Sequence, residues 1–243
     1  MRLDQWIADN GHAPSRARAR DLILRGLVLV NGMLVTKPAK TIADGDEIAV
    51  DQREAHLVSR AARKLEAALD AFDFNPSDRN CLDLGASTGG FTQILLERGA
   101  RLVIAVDVGR DQLDERLRID PRVRCLEQTD ARSLDRDCVP EPITAITADL
   151  SFISLAKAIG PAMKLAAPSA WLATLVKPQF EVGQFHIGRG GIVRNARVIE
   201  QAVDDAARWI NGQDGWQVVG RAPSPIDGGD GNREWLIGAR RHG

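Results

Sequence analysis

The run Asp83-Leu84-Gly85-Ala86-Ser87-Thr88-Gly89-Gly90-Phe91 decides the fold. It follows a short apolar stretch, 81–84, and opens a helical stretch, 91–98. Small residues at a strand-to-helix turn let the backbone double back tightly and approach a ligand beside a helix N-terminus. The next apolar run, 102–106, leads into Asp107, 22 positions after Gly85. That spacing suits a carboxylate on the ribose hydroxyls of a nucleotide-type ligand. The alternation continues through 123–126, 143–148 and 171–176, with helical segments between. Short, continuously apolar strands of this kind predict a parallel sheet covered by helices on both faces. A helix over 196–210 precedes two more strands, 216–220 and 234–238, expected to pair antiparallel at the edge. The fold class is α/β with a Rossmann-like sheet.

Upstream lies a smaller α+β pattern. Leu3, Trp6 and Ile7 fall at helical spacing and Gly11 ends that helix; Ser15 caps a second, buried through Leu22, Ile23 and Leu24 and stopped at Gly26. In Val28-Leu29-Val30-Asn31-Gly32-Met33-Leu34-Val35, Asn-Gly between two apolar runs is a strong hairpin signal, because both turn residues take positive φ. Asp44-Gly45-Asp46 makes another turn before the apolar 47–50. The expected domains are 1–50 and 59–243, joined by a polar linker at 51–58, with Ser59 capping a helix that buries Ala62, Leu65, Leu69 and Phe72.

The chain has 243 residues, 32 basic and 33 acidic side chains and a net charge of −1, which by itself predicts no partner. The average hides an asymmetry. Between Gly11 and Lys40 stand Arg16, Arg18, Arg20, Arg25, Lys37 and Lys40 against one acid, Asp21. A basic lobe on an acidic body points to nucleic acid. At 44% hydrophobic and 27% charged residues, a disordered chain is excluded. Cys81, Cys125 and Cys138 are widely spaced with no CxxC pair, which argues against a disulfide scaffold or a structural zinc site and fits a reducing cytoplasm. No metal is expected. No run approaches the roughly 18 apolar residues of a membrane span, and the first residues lack a secretory core. A soluble cytoplasmic protein with no membrane association and no protein partner is therefore expected.

Ser87 stands where a dinucleotide site needs its second glycine, and no phosphate-cradling G-x-x-x-x-G-K-[ST] loop is present. Asp83 beneath the turn suits an ammonium donor, as on the aminoacyl end of S-adenosylmethionine (SAM). Asp130 is placed to accept from an adenine amino group, or else is a solvated loop acid. Asp149-Leu150-Ser151-Phe152 ends the fourth strand of the sheet, on the rim where open α/β sheets bind ligands. Enzymes that methylate planar base nitrogens usually carry an Asn/Asp-Pro-Pro-aromatic run there, so Leu-Ser points towards an sp³ oxygen. One strand later comes Lys177, in Leu175-Val176-Lys177-Pro178-Gln179-Phe180-Glu181. A lysine removes a hydroxyl proton only if its pKa falls well below about 10.4, through burial or a nearby cation. Lys64 is a candidate for that cation, and Glu234 for orienting the hydroxyl or the lysine. Taken singly, each also reads as an exposed charge.

Together these motifs resemble the TlyA family, an S4 RNA-binding domain fused to an FtsJ/RrmJ-like, SAM-dependent ribose 2'-O-methyltransferase. The joint is Val58-Ser59-Arg60-Ala61-Ala62-Arg63-Lys64-Leu65, and Gly188-Arg-Gly-Gly-Ile-Val-Arg194 and Gly231-Asn-Arg-Glu234 complete the set. The resemblance implies a tetrad of Lys64, Asp149, Lys177 and Glu234, with Lys177 as base on a ribose 2'-hydroxyl. It implies SAM contacts from the turn, Gly85 through Ala86, Ser87, Thr88, Gly89 and Gly90, with Asp107 at the ribose, Asp130 at the adenine and Asp149 at the methyl. It implies RNA contacts from Arg2, Arg16 and Lys37. Arg20 shares a helix face with Arg16, whereas Arg18 projects to nearly the opposite side, where solvation suffices. Such cations grip phosphates rather than read bases. The partner implied is ribosomal RNA or a ribosomal subunit. Ala61 replaces the family's usual glycine, and the chain matches the family's shorter forms, which implies a cytidine in 23S rather than 16S rRNA. Three alternatives stay open: methylation of another RNA site or a base atom, an inactive RNA-binding module, and the pore-forming activity behind the hemolysin name that has followed the family.

Overall fold

Asn31 and Gly32 take φ of 52° and 74°, closing a two-residue turn in which Val30 faces Met33. This hairpin anchors the first of two units into which the chain divides, Met1–Val58 and the part from Ser59 onward. The computed structural model describes Met1–His242. The first unit contains α1 (Leu3–Asp9), α2 (Arg16–Leu24), β1 (Val28–Val30), β2 (Met33–Leu34), β3 (Ile48–Val50) and α3 (Gln52–His56). Its antiparallel sheet runs β2-β1-β3. Leu3, Ile7, Leu22, Ile23, Val28 and Val30 form its core. Ser15 Oγ accepts from the Arg18 N–H, as an N-cap should. Leu24, expected in the core, is exposed, because it lies on the helix face opposite that core.

The polar segment after Val50 is not a linker. Asp51 caps α3 by accepting from the Glu54 N–H, and Leu57 is buried. The Arg18 guanidinium donates to the carbonyls of Ala55 and Leu57 at 2.9 and 2.8 Å, and Arg25 donates to that of Glu54. Arg18 therefore serves the fold rather than solvent. Its hydrogen bonds satisfy carbonyls that a short helix leaves open at its C-terminus.

The second unit contains α4 (Ala62–Phe72), β4 (Asn80–Leu84), α5 (Gly90–Glu97), β5 (Leu102–Val106), α6 (Glu115–Arg118), β6 (Val123–Leu126), β7 (Ile143–Ala148), α7 (Leu155–Leu165), β8 (Ala166–Val176), α8 (Pro178–Glu181), α9 (Ala196–Asn211), β9 (Trp216–Pro223) and β10 (Trp235–Arg241). The sheet order is β6-β5-β4-β7-β8-β10-β9. Its first five strands are parallel, and β10 lies antiparallel between β8 and β9. The chain steps outward from β4 to β6, then returns to the other side of β4 with β7. Strand order thus reverses between β4 and β7, and ligands bind at the carboxyl ends of such a switch point. Ser59 does not cap α4. Ala61 is the N-cap residue, and Ser59, two positions before it, accepts from the Ala61 N–H through its Oγ. Among the described residues no helix is long and apolar enough to cross a membrane.

Candidate active site

The glycines of the turn after β4 are required first by packing. Gly85 sits at φ 78°, and a Cβ there would lie 2.5 Å from the carbonyl oxygen of Asp149 on the neighbouring strand end. A Cβ on Gly89, at φ 97°, would collide with Leu113 and Leu117, and one on Gly90 would stand 3.0 Å from the Ala62 nitrogen. Close approach of protein to protein, more than of ligand to backbone, excludes side chains at these positions. Asp107 braces the turn, accepting from the Ser87 N–H at 2.8 Å and the Gly109 N–H at 2.7 Å. Beside it opens a cleft of about 1010 Å³ lined by Gly85, Ser87, Asp107, Asp130, Asp149 and Phe152, among others. A recess of about 190 Å³ under the turn adds Ala86, Thr88 and Lys177.

Asp83 does not face this cleft. It is fully buried, and its two oxygens accept from Thr92 Oγ1 at 2.7 Å and Thr147 Oγ1 at 3.0 Å. Burial pushes its carboxyl up to about 6. It pins α5 to β4 and β7 and is closed off from the cleft by burial, so it does not present an oxygen to an ammonium there, which corrects the sequence expectation. Asp130 does line the cleft, but Arg132 holds both its oxygens, at 3.0 Å through Nε and 2.5 Å through Nη2. That pairing keeps its carboxyl below the usual range.

Lys64, Asp149, Lys177 and Glu234 converge. Lys64 comes from α4, Asp149 and Lys177 directly follow β7 and β8, and Glu234 directly precedes β10. Lys64 Nζ donates to Glu234 Oε2 at 2.5 Å and lies 3.7 Å from Asp149 Oδ2. Lys177 Nζ is 2.6 Å from Asp149 Oδ1 as an ion pair and donates to Ser151 Oγ at 2.9 Å. Asp149 therefore bridges the two lysines, and Lys64 neighbours carboxylates rather than Lys177. Burial raises the Glu234 carboxyl, and the Lys64 hydrogen bond works against that rise. Two ammonium groups and two carboxylates balance in charge, which is how charged side chains this enclosed are tolerated.

On the far side of Lys177 a second cleft of about 450 Å³ is lined by Phe152, Gln179, Phe180, Ile187, Asp230 and Glu234, together with Lys177 and Ser151. Sequence reasoning quoted Ser151, Phe152 and Gln179 within motifs but named none of them, nor Asp230, as a site residue. Phe152 is 91% exposed at φ 66°, with its ring 5.2 Å from that of Phe180. A phenylalanine three residues after a rim carboxylate was the available signal.

A family model described as FtsJ-like methyltransferase matches residues 57–241, and one described as S4 domain matches 1–48. The chain is 43% identical to the 16S/23S rRNA (cytidine-2'-O)-methyltransferase TlyA of Mycobacterium tuberculosis, over 98% of this chain and 89% of that protein. The chain belongs to the TlyA family of FtsJ-like methyltransferases. The 23S rRNA (cytidine-2'-O)-methyltransferase TlyA of Campylobacter jejuni is 37% identical, over 97% of this chain and 98% of its own. Hemolysin A of Brachyspira hyodysenteriae is 41% identical over the same shares, so the hemolysin name runs within the family. A structure from Streptococcus thermophilus, also named as a hemolysin, aligns with TM-score 0.76 at 37% identity, over 100% of this chain and 88% of that one. A SAM-dependent methyltransferase from Listeria monocytogenes, 16% identical, shares the fold at TM-score 0.51 over 76% of this chain and 100% of its own.

In the S4 unit of this TlyA-family methyltransferase, Arg2 and Arg16 meet on one carboxylate. Arg2 donates to both oxygens of Asp4 at 3.0 and 2.9 Å, and Arg16 Nε to one at 3.2 Å. The two guanidiniums hold the buried Asp4 carboxyl down at about 2. Arg20 and Lys37 are exposed.

Proposed function

We propose that this chain transfers a methyl group from SAM to the ribose 2'-hydroxyl of a cytidine in ribosomal RNA. We further propose 23S rRNA as the substrate, because it is common to the names of the M. tuberculosis and C. jejuni relatives. The observation that carries the reading is the convergence of Lys64, Asp149, Lys177 and Glu234 between two clefts. The larger cleft fits the cofactor. The 85–90 turn and the braced Asp107 form one wall, and Asp107, Asp130 and Asp149 suit a cationic, hydroxyl-bearing, phosphate-free ligand. There the turn would hold the aminoacyl end, Asp107 the ribose, and Asp130 the adenine side. Bound SAM supplies an electrophilic methyl on a sulfonium.

The chain's own residues handle the proton. The neutral, unprotonated Lys177 amine donates to Ser151 Oγ and lies 2.6 Å from Asp149 Oδ1, leaving the direction of its lone pair for a hydroxyl in the second cleft. Through that direction the amine takes the 2'-hydroxyl proton as the oxygen attacks. Asp149 holds the amine in place, and Lys64 and Glu234 fix Asp149 from behind. Preset geometry of this kind removes the orientational cost from the barrier. In the S4 unit, Arg2, Arg16, Arg20 and Lys37 would grip RNA phosphates.

Nuclease digestion of RNA treated with the protein and SAM is expected to release 2'-O-methylcytidine. A base-methylated nucleoside would overturn the assignment. Lys177→Ala is expected to bind SAM and RNA as the parent does while transfer falls about 10²–10⁴-fold, the usual worth of a general base. Undiminished transfer would remove Lys177 from that role.

A further inference from the structure

We infer that Gln179 determines specificity for the target base by accepting a hydrogen bond from its exocyclic amino group; this rests on reading the 450 Å³ cleft as the seat of the target nucleoside. Gln179 lies two residues after Lys177 in α8, is 8% exposed, and belongs to the wall of both clefts. Its Nε2 donates to Asp230 Oδ2 at 3.2 Å, while its Oε1 is buried with no donor. The amide cannot simply be reversed. Reversal would set the carbonyl oxygen against the Asp230 carboxylate.

Asp230 is itself held. Its Oδ1 accepts from the Asn232 N–H at 3.1 Å and its Oδ2 from Asn232 Nδ2 at 2.8 Å. Asn232, 1% exposed, donates to the Gly191 carbonyl and accepts from the Val193 N–H. The whole chain of bonds fixes the Gln179 amide with its oxygen unmet. A buried acceptor without a donor is unfavourable, and this one belongs to a residue that lines both clefts, so a base seated there and displacing its immediate cover would supply the missing donor.

The cleft describes that partner. Lys177 and Glu234 stand at its ribose end, and Phe152, Phe180 and Ile187 offer apolar faces to a planar ring. Cytosine carries a donor amine where uracil carries a carbonyl oxygen. Uridine would therefore set oxygen against oxygen and leave the acceptor buried and unpaired. Sites built around such a bond reject the analogue that lacks the donor far more strongly than apolar pockets reject a change of size.

The test uses the full-length protein and a ribosomal RNA fragment containing the nucleotide it methylates. The fragment carries cytidine, uridine or a pyrimidin-2-one riboside, which lacks the amino group, at that position. The parent is expected to show kcat/KM at least about tenfold higher for cytidine than for either replacement. Gln179→Met is expected to shrink the ratio below about threefold, mainly by losing activity on cytidine. Equal use of the three substrates by the parent, or an undiminished ratio in Gln179→Met, would overturn the assignment to Gln179 alone. Absence of any 2'-O-methyl product would instead overturn the functional reading, and this inference with it.

Discussion

Asp83, Asp130 and Asp149 lie at or just beyond strand ends of one sheet, and residue type alone treats them alike. What separates them is what meets their oxygens: hydrogen bonds from two buried threonines, hydrogen bonds from one arginine, or ion pairs with two lysines. No spacing rule reports that, so the sequence suggests Asp83 as a ligand contact although its oxygens meet two threonines inside the core, and Asp149 is set beside the lysines only by the family resemblance. The same logic makes Asp4 a pH-sensitive element of the S4 unit. Its folded value, about 2, lies below its ordinary 3.8, so its contribution to stability is present above about pH 4 and fades as pH falls towards 2. Asp4→Asn is therefore expected to lower the melting temperature at pH 7, with the gap to the parent narrowing at about pH 3. A constant gap would mean that the carboxylate charge is not what holds Arg2 and Arg16. Gly85 gives a second test at this scale. In Gly85→Ala the new methyl meets the Asp149 carbonyl at a positive φ, which should cost about 1–3 kcal/mol by thermal unfolding. Spreading β4 from β7 should also weaken SAM binding in a calorimetric titration. Unchanged melting and binding would show that the turn tolerates a side chain.

Strand and helix periods were legible in sequence because burial on both sheet faces writes continuous apolar runs: residues 102–106, 123–126 and 143–148 coincide with β5, β6 and β7. The Asn31-Gly32 hairpin was legible for a local reason, its required positive φ. The 51–58 segment was not. Helix α3 is short and polar, and it is held by Arg18 and Arg25 from an element far away in sequence. The start of β8 was also missed, since its stretch from Ala166 contains Pro168 and Ser169, and Ser169 has φ 64°. The element that matters most to the chemistry is α4, which carries Lys64. Its last residue, Phe72, packs where β9 and β10 have glycines; a Cβ on Gly220 would lie 2.9 Å from the ring and one on Gly238 2.5 Å. Phe72→Ala empties that socket, and a loss of about 3–5 kcal/mol is expected from chemical denaturation. As α4 loosens, Lys64 should drift from Glu234 and Asp149, so kcat should fall further than SAM affinity. If stability drops while kcat holds, the seating of α4 does not set the tetrad.

At the scale of the molecule, chemistry and RNA grip are assigned to separate units, and a net charge of −1 conceals the division. Counting basic residues overstated the grip. Arg18 and Arg25 bind backbone carbonyls of their own unit, and Arg2 and Arg16 share Asp4. Arg20 and Lys37 are left exposed, with no carboxylate beside either among the described residues. Removing one phosphate-gripping cation lowers the dependence of log affinity on log salt by about 0.7–0.9. Arg20→Ala with Lys37→Ala is therefore expected to weaken ribosomal RNA binding and to reduce that slope by about 1.5, measured by fluorescence anisotropy across a salt series. SAM affinity and melting temperature should stay at parental values, and kcat at saturating RNA should hold while KM for RNA rises. Arg18→Ala is expected to behave in the opposite way. It strands the carbonyls of Ala55 and Leu57, so stability falls, while the salt slope remains near that of the parent. If Arg18→Ala flattened the slope and the double variant left it untouched, the RNA-facing side of the S4 unit would have to be moved to the other face of α2.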